Sequence, residues 1–195
     1  MIEFGKQPRK WPKGKIAAGI CLVTVLIAVY VAWQYFTIET ESPKPLGPAP
    51  DFPLKDINST SIFTLGDFRG KVIAIHFMIV GCHGEVYSID DNQLRQLKSV
   101  CNSFCGGGQF VIMTVLSSTC LTSNLTQIRL DYGINWRMGN DYNDGMMDIF
   151  KAYEAYSVKD GTIVLVDKTF NVTKVHTEAM TASALSSEID QLLKA

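Results

Sequence analysis

Ile16 to Phe36 reads IAAGICLVTVLIAVYVAWQYF, 21 residues without a charged side chain. As a helix this stretch would be ~31 Å long, about the thickness of a bilayer's hydrocarbon core. Tyr30, Trp33, Tyr35 and Phe36 crowd its far end, where an interfacial aromatic belt would sit. Lys6, Arg9, Lys10, Lys13 and Lys15 precede it against the single acid Glu3, and Glu39 and Glu41 follow. The positive-inside rule then puts the N-terminus in the cytoplasm and the rest of the chain outside. A cleaved secretory leader would have a shorter apolar region ending in small residues. The expected organisation is a basic cytoplasmic tail over 1–15, a transmembrane anchor over 16–38, a linker over 39–48 and one external domain over 49–195.

Five of the seven prolines fall between Thr37 and Pro53, which marks a semi-rigid spacer. The net charge is −1, and no basic stretch is interleaved with aromatics, so nucleic acid is not an expected partner. N-x-[ST] sequons at Asn58, Asn124 and Asn171 are compatible with glycosylation of an external domain.

Within the domain, Lys71–Met78 (KVIAIHFM) and Gln109–Leu116 (QFVIMTVL) are short, β-branched apolar runs expected to be buried strands. Between them a helix is expected from about Glu85 to Phe104, with Val86, Ile89, Leu97, Cys101 and Phe104 near one face and Gly106-Gly107-Gly108 at its end. The acidic pair Asp90-Asp91 reads as a solvated face, and His76 as a core residue. Strand, helix and strand make a crossover with two parallel strands. Leu121–Tyr132 and Asp144–Tyr156 read as helices. Thr162–Asp167 and Phe170–His176 read as a hairpin over Lys168-Thr169, and Thr181 opens a last helix. The order predicts an α/β domain, a central mixed sheet flanked by helices.

Ala49-Pro50-Asp51-Phe52, then Leu65-Gly66-Asp67-Phe68-Arg69-Gly70-Lys71, then Cys82 after a buried strand, resemble the opening of thioredoxin-like redoxins of the TlpA and AhpC type. Gly161 to Val172 (GTIVLVDKTFNV) resembles the later redoxin hairpin. The resemblance implies a thioredoxin-like fold and a reactive Cys82. It also implies thiol–disulfide chemistry on external protein thiols and disulfides, with no cofactor. The chain departs from the family in three places. Cys82-His83-Gly84 is followed by Glu85, so the C-x-x-C pair is absent. The family's cis-proline position holds Gly161 or Thr162. Ile75 and Ile79 replace the upstream proline and hydroxyl of a peroxiredoxin site, which argues against peroxide reduction.

On this fold Cys82 is expected at the carboxyl end of a central strand, before a helix N-terminus that would favour its thiolate. His83, if protonated, would help, and Glu85 would oppose it. A single thiol needs a second to resolve a mixed disulfide. Cys101 lies 19 residues along the expected helix, ~28 Å away, and Cys105 is farther. Cys120 follows the neighbouring parallel strand and so can approach Cys82. Four external cysteines allow three connectivities; the expected one pairs Cys82 with Cys120 and Cys101 with Cys105, the latter a local structural bridge. Two other readings stand beside the oxidoreductase. One is a non-catalytic redoxin-fold binding or assembly module. The other is copper handling by Cys82, His83 and His176, in the manner of Sco-type domains, although Val86 breaks the C-x-x-x-C motif those domains use. No metal site is expected.

Overall fold

A computed structural model of the chain describes residues 26–30, 44–59, 61–81, 85–143 and 146–195. The chain divides into two compact units, Met1–Glu41 and Ser42–Ala195. In the first, residues 26–30 are helical with exposed side chains. The remainder of the expected anchor over 16–38, and the tail over 1–15, lie outside the described residues. Among the described residues, no helix is long and apolar enough to cross a membrane.

The second unit is organised by two strands whose residues are apolar on both faces. β4 (Val72–Ile79) and β5 (Phe110–Ser117) run parallel in the register Val72↔Phe110 to Ile79↔Ser117. Such continuous apolar runs suit strands covered on both sides. Side chains alternate faces along a strand, and the two cores follow that parity. Val72, Ala74 and Met78 join one core with Leu94, Leu97, Leu185 and Ile189; Ile73, Ile75 and Phe77 join the other with Phe52, Phe63, Phe150 and Tyr153.

The remaining elements complete the layers. β1 (Gly47–Pro48) is followed by a hairpin, β2 (Pro53–Lys55) and β3 (Ile62–Thr64). α1 (Ser88–Phe104) crosses from β4 to β5, and α2 (Thr122–Asp131) leads from β5 to β6 (Arg137–Asn140). Then come β7 (Tyr142–Asn143), β8 (Met146–Met147) and the short α3 (Asp148–Ala152). β9 (Thr162–Val166), β10 (Asn171–His176) and α4 (Ala182–Lys194) close the chain. The main sheet has the order β1-β10-β9-β4-β5-β6. β4, β5 and β6 are parallel, while β9, β10 and β1 run antiparallel to their neighbours. This is the mixed sheet expected from the sequence, and it draws in Gly47 and Pro48 from the end of the expected linker.

Three details differ from expectation. α1 begins at Ser88, not near Glu85. Before it, Gly81 N donates to the Glu85 carbonyl at 3.1 Å and Val80 bridges Val86. The helix expected over Asp144–Tyr156 shrinks to α3 and one 3-10 turn, because Tyr142 pairs with Met147 and Asn143 with Met146. The two residues between them are Asp144-Gly145, a strong hairpin signal. Asp141 then accepts the Ile149 and Phe150 amides at 2.9–3.0 Å and fixes where α3 starts. β6 was not foreseen; its four residues carry too little apolar pattern to stand out.

Candidate functional site

The carboxyl ends of β4 and β5 leave the sheet at one edge. Ile79 pairs with Ser117, and the ladder continues as Val80 N donates to the Ser117 carbonyl at 3.1 Å. Ser118 Oγ donates to the Val80 carbonyl at 3.2 Å and accepts the Cys120 amide at 3.0 Å. These bonds turn the loop after β5 back onto the loop after β4. Cys120, a half-buried free thiol, lies with Sγ against the Gly81 carbonyl oxygen. Gly81 immediately precedes Cys82. Cys82 and His83 themselves lie outside the described residues. Glu85 is exposed, and its carboxylate packs so closely on Gly81 that Oε2 would sit 2.4 Å from a Cβ built there. Gly81 must therefore stay a glycine while Glu85 keeps this position.

The loop before β9 meets the same edge. Asp160 Oδ1 accepts the Ile79 amide at 2.6 Å, and Gly161 N donates to the Phe77 carbonyl at 3.0 Å. Gly161 has φ +74°, and a Cβ there would meet Ile89 at 2.7 Å, so both backbone and space demand glycine. Gln93, fully buried on α1, donates to the Gly161 and Glu178 carbonyls at 3.2 Å and accepts the Met180 amide at 3.3 Å. Thr162 is buried, with Oγ1 accepting the Lys159 amide at 3.0 Å.

Beneath this edge lies a titratable cluster that the sequence reading missed. His76 on β4 and Asp90 in the first turn of α1 are both fully buried, with His76 Nε2 3.2 Å from Asp90 Oδ1. Among the described residues, none of the four side-chain N and O atoms finds a partner in good hydrogen-bond geometry. Burial pushes His76 down to about 4, with the charge of Asp160 acting weakly the other way. Burial pushes Asp90 up to about 7, partly opposed by Asp160 beside it. Burial also raises Asp160 to about 6, despite the Ile79 amide it accepts. Near neutral pH the imidazole is uncharged and the two carboxyls compete to hold a proton. The expectation that Asp90 is solvated is corrected: Asp91 alone faces solvent, pairing with Arg95 at 2.9 Å. A signal was present, since Asp90 stands four and seven residues before Leu94 and Leu97, on the buried stripe.

Apolar surface surrounds the edge. Tyr87, Leu121 and Met147 are exposed there, and a depression of about 670 Å³ lies between Ile79, Met147, Phe150, Val158 and Asp160.

Cys101 and Cys105 are far from this edge, at the end of α1, at disulfide distance with Cα atoms 4.8 Å apart. Among the sequons, Asn58 is exposed in the β2–β3 turn, while Asn124 sits half-buried in α2. Asn171 lies in β10, its amide donating to Thr169 Oγ1 at 2.8 Å. Among the described residues, no three His, Cys, Asp or Glu side chains converge as metal ligands.

No known family model matches the sequence, and no curated protein matches it. Solved structures do resemble it. A thiol:disulfide interchange protein of the thioredoxin family from Chlorobium tepidum aligns at 16% identity and TM-score 0.62, over 77% of this chain and 97% of its own. A thiol:disulfide interchange protein from Bacteroides sp. aligns at 19% and 0.62, over 79% and 93%. The thioredoxin domain of a thiol-disulfide oxidoreductase from Bacteroides vulgatus aligns at 18% and 0.60, over 77% and 98%. The domain therefore has a thioredoxin-like fold.

Proposed function

We propose that the chain is a thiol–disulfide oxidoreductase tethered to a membrane by one helix, with Cys82 the attacking thiol and Cys120 the resolving one. The observation that carries this reading is the contact of Cys120 Sγ with the Gly81 carbonyl. Each cysteine stands three residues beyond a registered pair, Cys82 after Ile79 and Cys120 after Ser117. On this reading Cys120 takes the role of the second thiol of a C-x-x-C loop. In the reaction the Cys82 thiolate attacks a substrate disulfide, releasing one substrate thiolate and forming a mixed disulfide. The Cys120 thiolate then attacks Cys82 Sγ, freeing the second substrate thiol and leaving a Cys82–Cys120 disulfide. The Asp90 carboxyl, raised to about 7, would take up or return thiol protons at this edge.

α1 starts at Ser88, six residues after Cys82, which weakens the expected help from the helix dipole. His83 and Glu85 would then set the thiolate's local field, and Gly161 and Thr162 the wall opposite. The exposed apolar rim suits protein substrates. The charge-free stretch and its basic flank support an anchored domain on the extracytoplasmic side, and the thioredoxin-like fold of thiol:disulfide interchange proteins supports the chemistry.

Exchange with a model disulfide tests the proposal. Cys82→Ser should abolish exchange, and Cys120→Ser should trap mixed disulfides with extracytoplasmic proteins. Wild-type exchange by Cys82→Ser would overturn the assignment and favour the non-catalytic binding module; capture of cytoplasmic proteins alone would overturn the sidedness.

A further inference from the structure

The opposite edge of the sheet holds a second cleft, of about 600 Å³, within the range of small-molecule sites. Its walls are the Cys101–Cys105 bridge, Asn102, Arg129 at the end of α2, Asn135, Trp136 and Arg137 at the start of β6. The Cys82 edge lies a full strand away, seven steps along β5 or about 23 Å.

The charges of this cleft do not balance. Arg137 pairs with Asp56 at 3.3 Å, and Asp56 also caps its own loop by accepting the Asn58 amide at 2.9 Å. Among the described residues, Arg129 has no such partner. Its Nη1 is shut off from water and has no hydrogen-bond acceptor. A guanidinium nitrogen left this way is costly, because a desolvated donor forfeits its bonds to water. Helix α2 did not need an arginine here for packing, since Leu125 and Ile128 supply its buried face. One uncompensated positive charge therefore lines the cleft.

We propose that this cleft binds a small organic carboxylate, with Arg129 as its anchor. A carboxylate accepts charge-assisted hydrogen bonds from a guanidinium and carries the single negative charge the cleft lacks. A phosphate, bearing more charge, would face Asp56. Asn102 and Asn135 offer amide groups to polar atoms on the ligand body, and the disulfide and Trp136 close the apolar side. Trp136 is 6% exposed, and its Nε1 donates to Thr114 Oγ1 at 2.9 Å, so its indole N–H is a fixed reporter in the wall.

Titration of the full-length protein with butyrate, with L-lactate and, separately, with inorganic phosphate tests the proposal, at constant ionic strength. Binding is read from the Trp136 indole N–H resonance and from thermal stability. Saturable shifts with either carboxylate, at lower concentration than any with phosphate, are expected. Arg129→Gln should weaken carboxylate binding at least tenfold. The same variant should raise stability without ligand, because the orphaned donor is gone. Arg129→Lys, which keeps the charge and loses the fork, should bind with intermediate strength and guards against misfolding of the Gln variant. No saturable shift with either carboxylate, equal binding by Arg129→Gln, or tighter binding of phosphate would each overturn the proposal.

Discussion

Asp90→Asn tests the buried cluster directly. An unfolded aspartate titrates near 3.8, and burial holds Asp90 up to about 7 in the fold. The folded state then binds this proton more tightly than the unfolded state does. The stability it brings is complete below about pH 3.8 and is lost as pH rises through about 7. Each unit is worth about 1.4 kcal/mol, so about three units amount to at most about 4 kcal/mol. Asp160, raised to about 6, acts in the same direction over a lower window. His76, lowered from 6.5 to about 4, acts oppositely: its contribution is present above 6.5 and is lost as pH falls towards 4. Between about 4 and 6.5 the histidine offsets one carboxyl, and above that the loss at Asp90 stands alone. Asn keeps the shape and removes the titration. Urea denaturation of wild type and variant at a series of pH values isolates the effect. The variant's stability relative to wild type should climb between about pH 4 and 8, by up to about 4 kcal/mol. A difference that stays flat across that interval would refute the reasoning, since Asp90 would then titrate in the fold as it does in the unfolded chain.

Gly161→Ala should destabilise the domain by more than about 1 kcal/mol in the same denaturation assay, because φ +74° and the Ile89 contact at 2.7 Å both reject a Cβ. Asp141→Ala removes the acceptor for the Ile149 and Phe150 amides, which should cost about 1–2 kcal/mol and increase amide exchange at the start of α3.

The sequence carried the fold through its long periodic elements. β4 and β5 are eight-residue apolar runs, and their parity decides which core each side chain enters. Thr181 announced α4 as its cap, with Oγ1 accepting the Ala184 amide at 3.2 Å. Short elements were illegible because tertiary contacts make them. β6 is a strand since Gly139 lets Lys55 and Leu54 come close: a Cβ there would meet the Lys55 carbonyl at 2.4 Å. The site was half legible. Reasoning from parallel strands brought Cys120 towards the β4 exit. The partners of His76 could not be read, because they come from α1 and from the loop before β9, which the sheet alone brings together.

The parallel pairing of β4 and β5 also decides where chemistry collects. Both strands end at one edge, so Gly81, Ser118 and Cys120 converge there; β5 and β6 start at the other, so Cys101–Cys105, Arg129 and Arg137 gather at that end. α1 is the element the two edges share, with Asp90 in its first turn and Cys101 near its last. Between them Leu94, Leu97 and Val100 are fully buried against the sheet. The two edges lie about 23 Å apart along β5, so substitutions at one should add to, rather than couple with, those at the other.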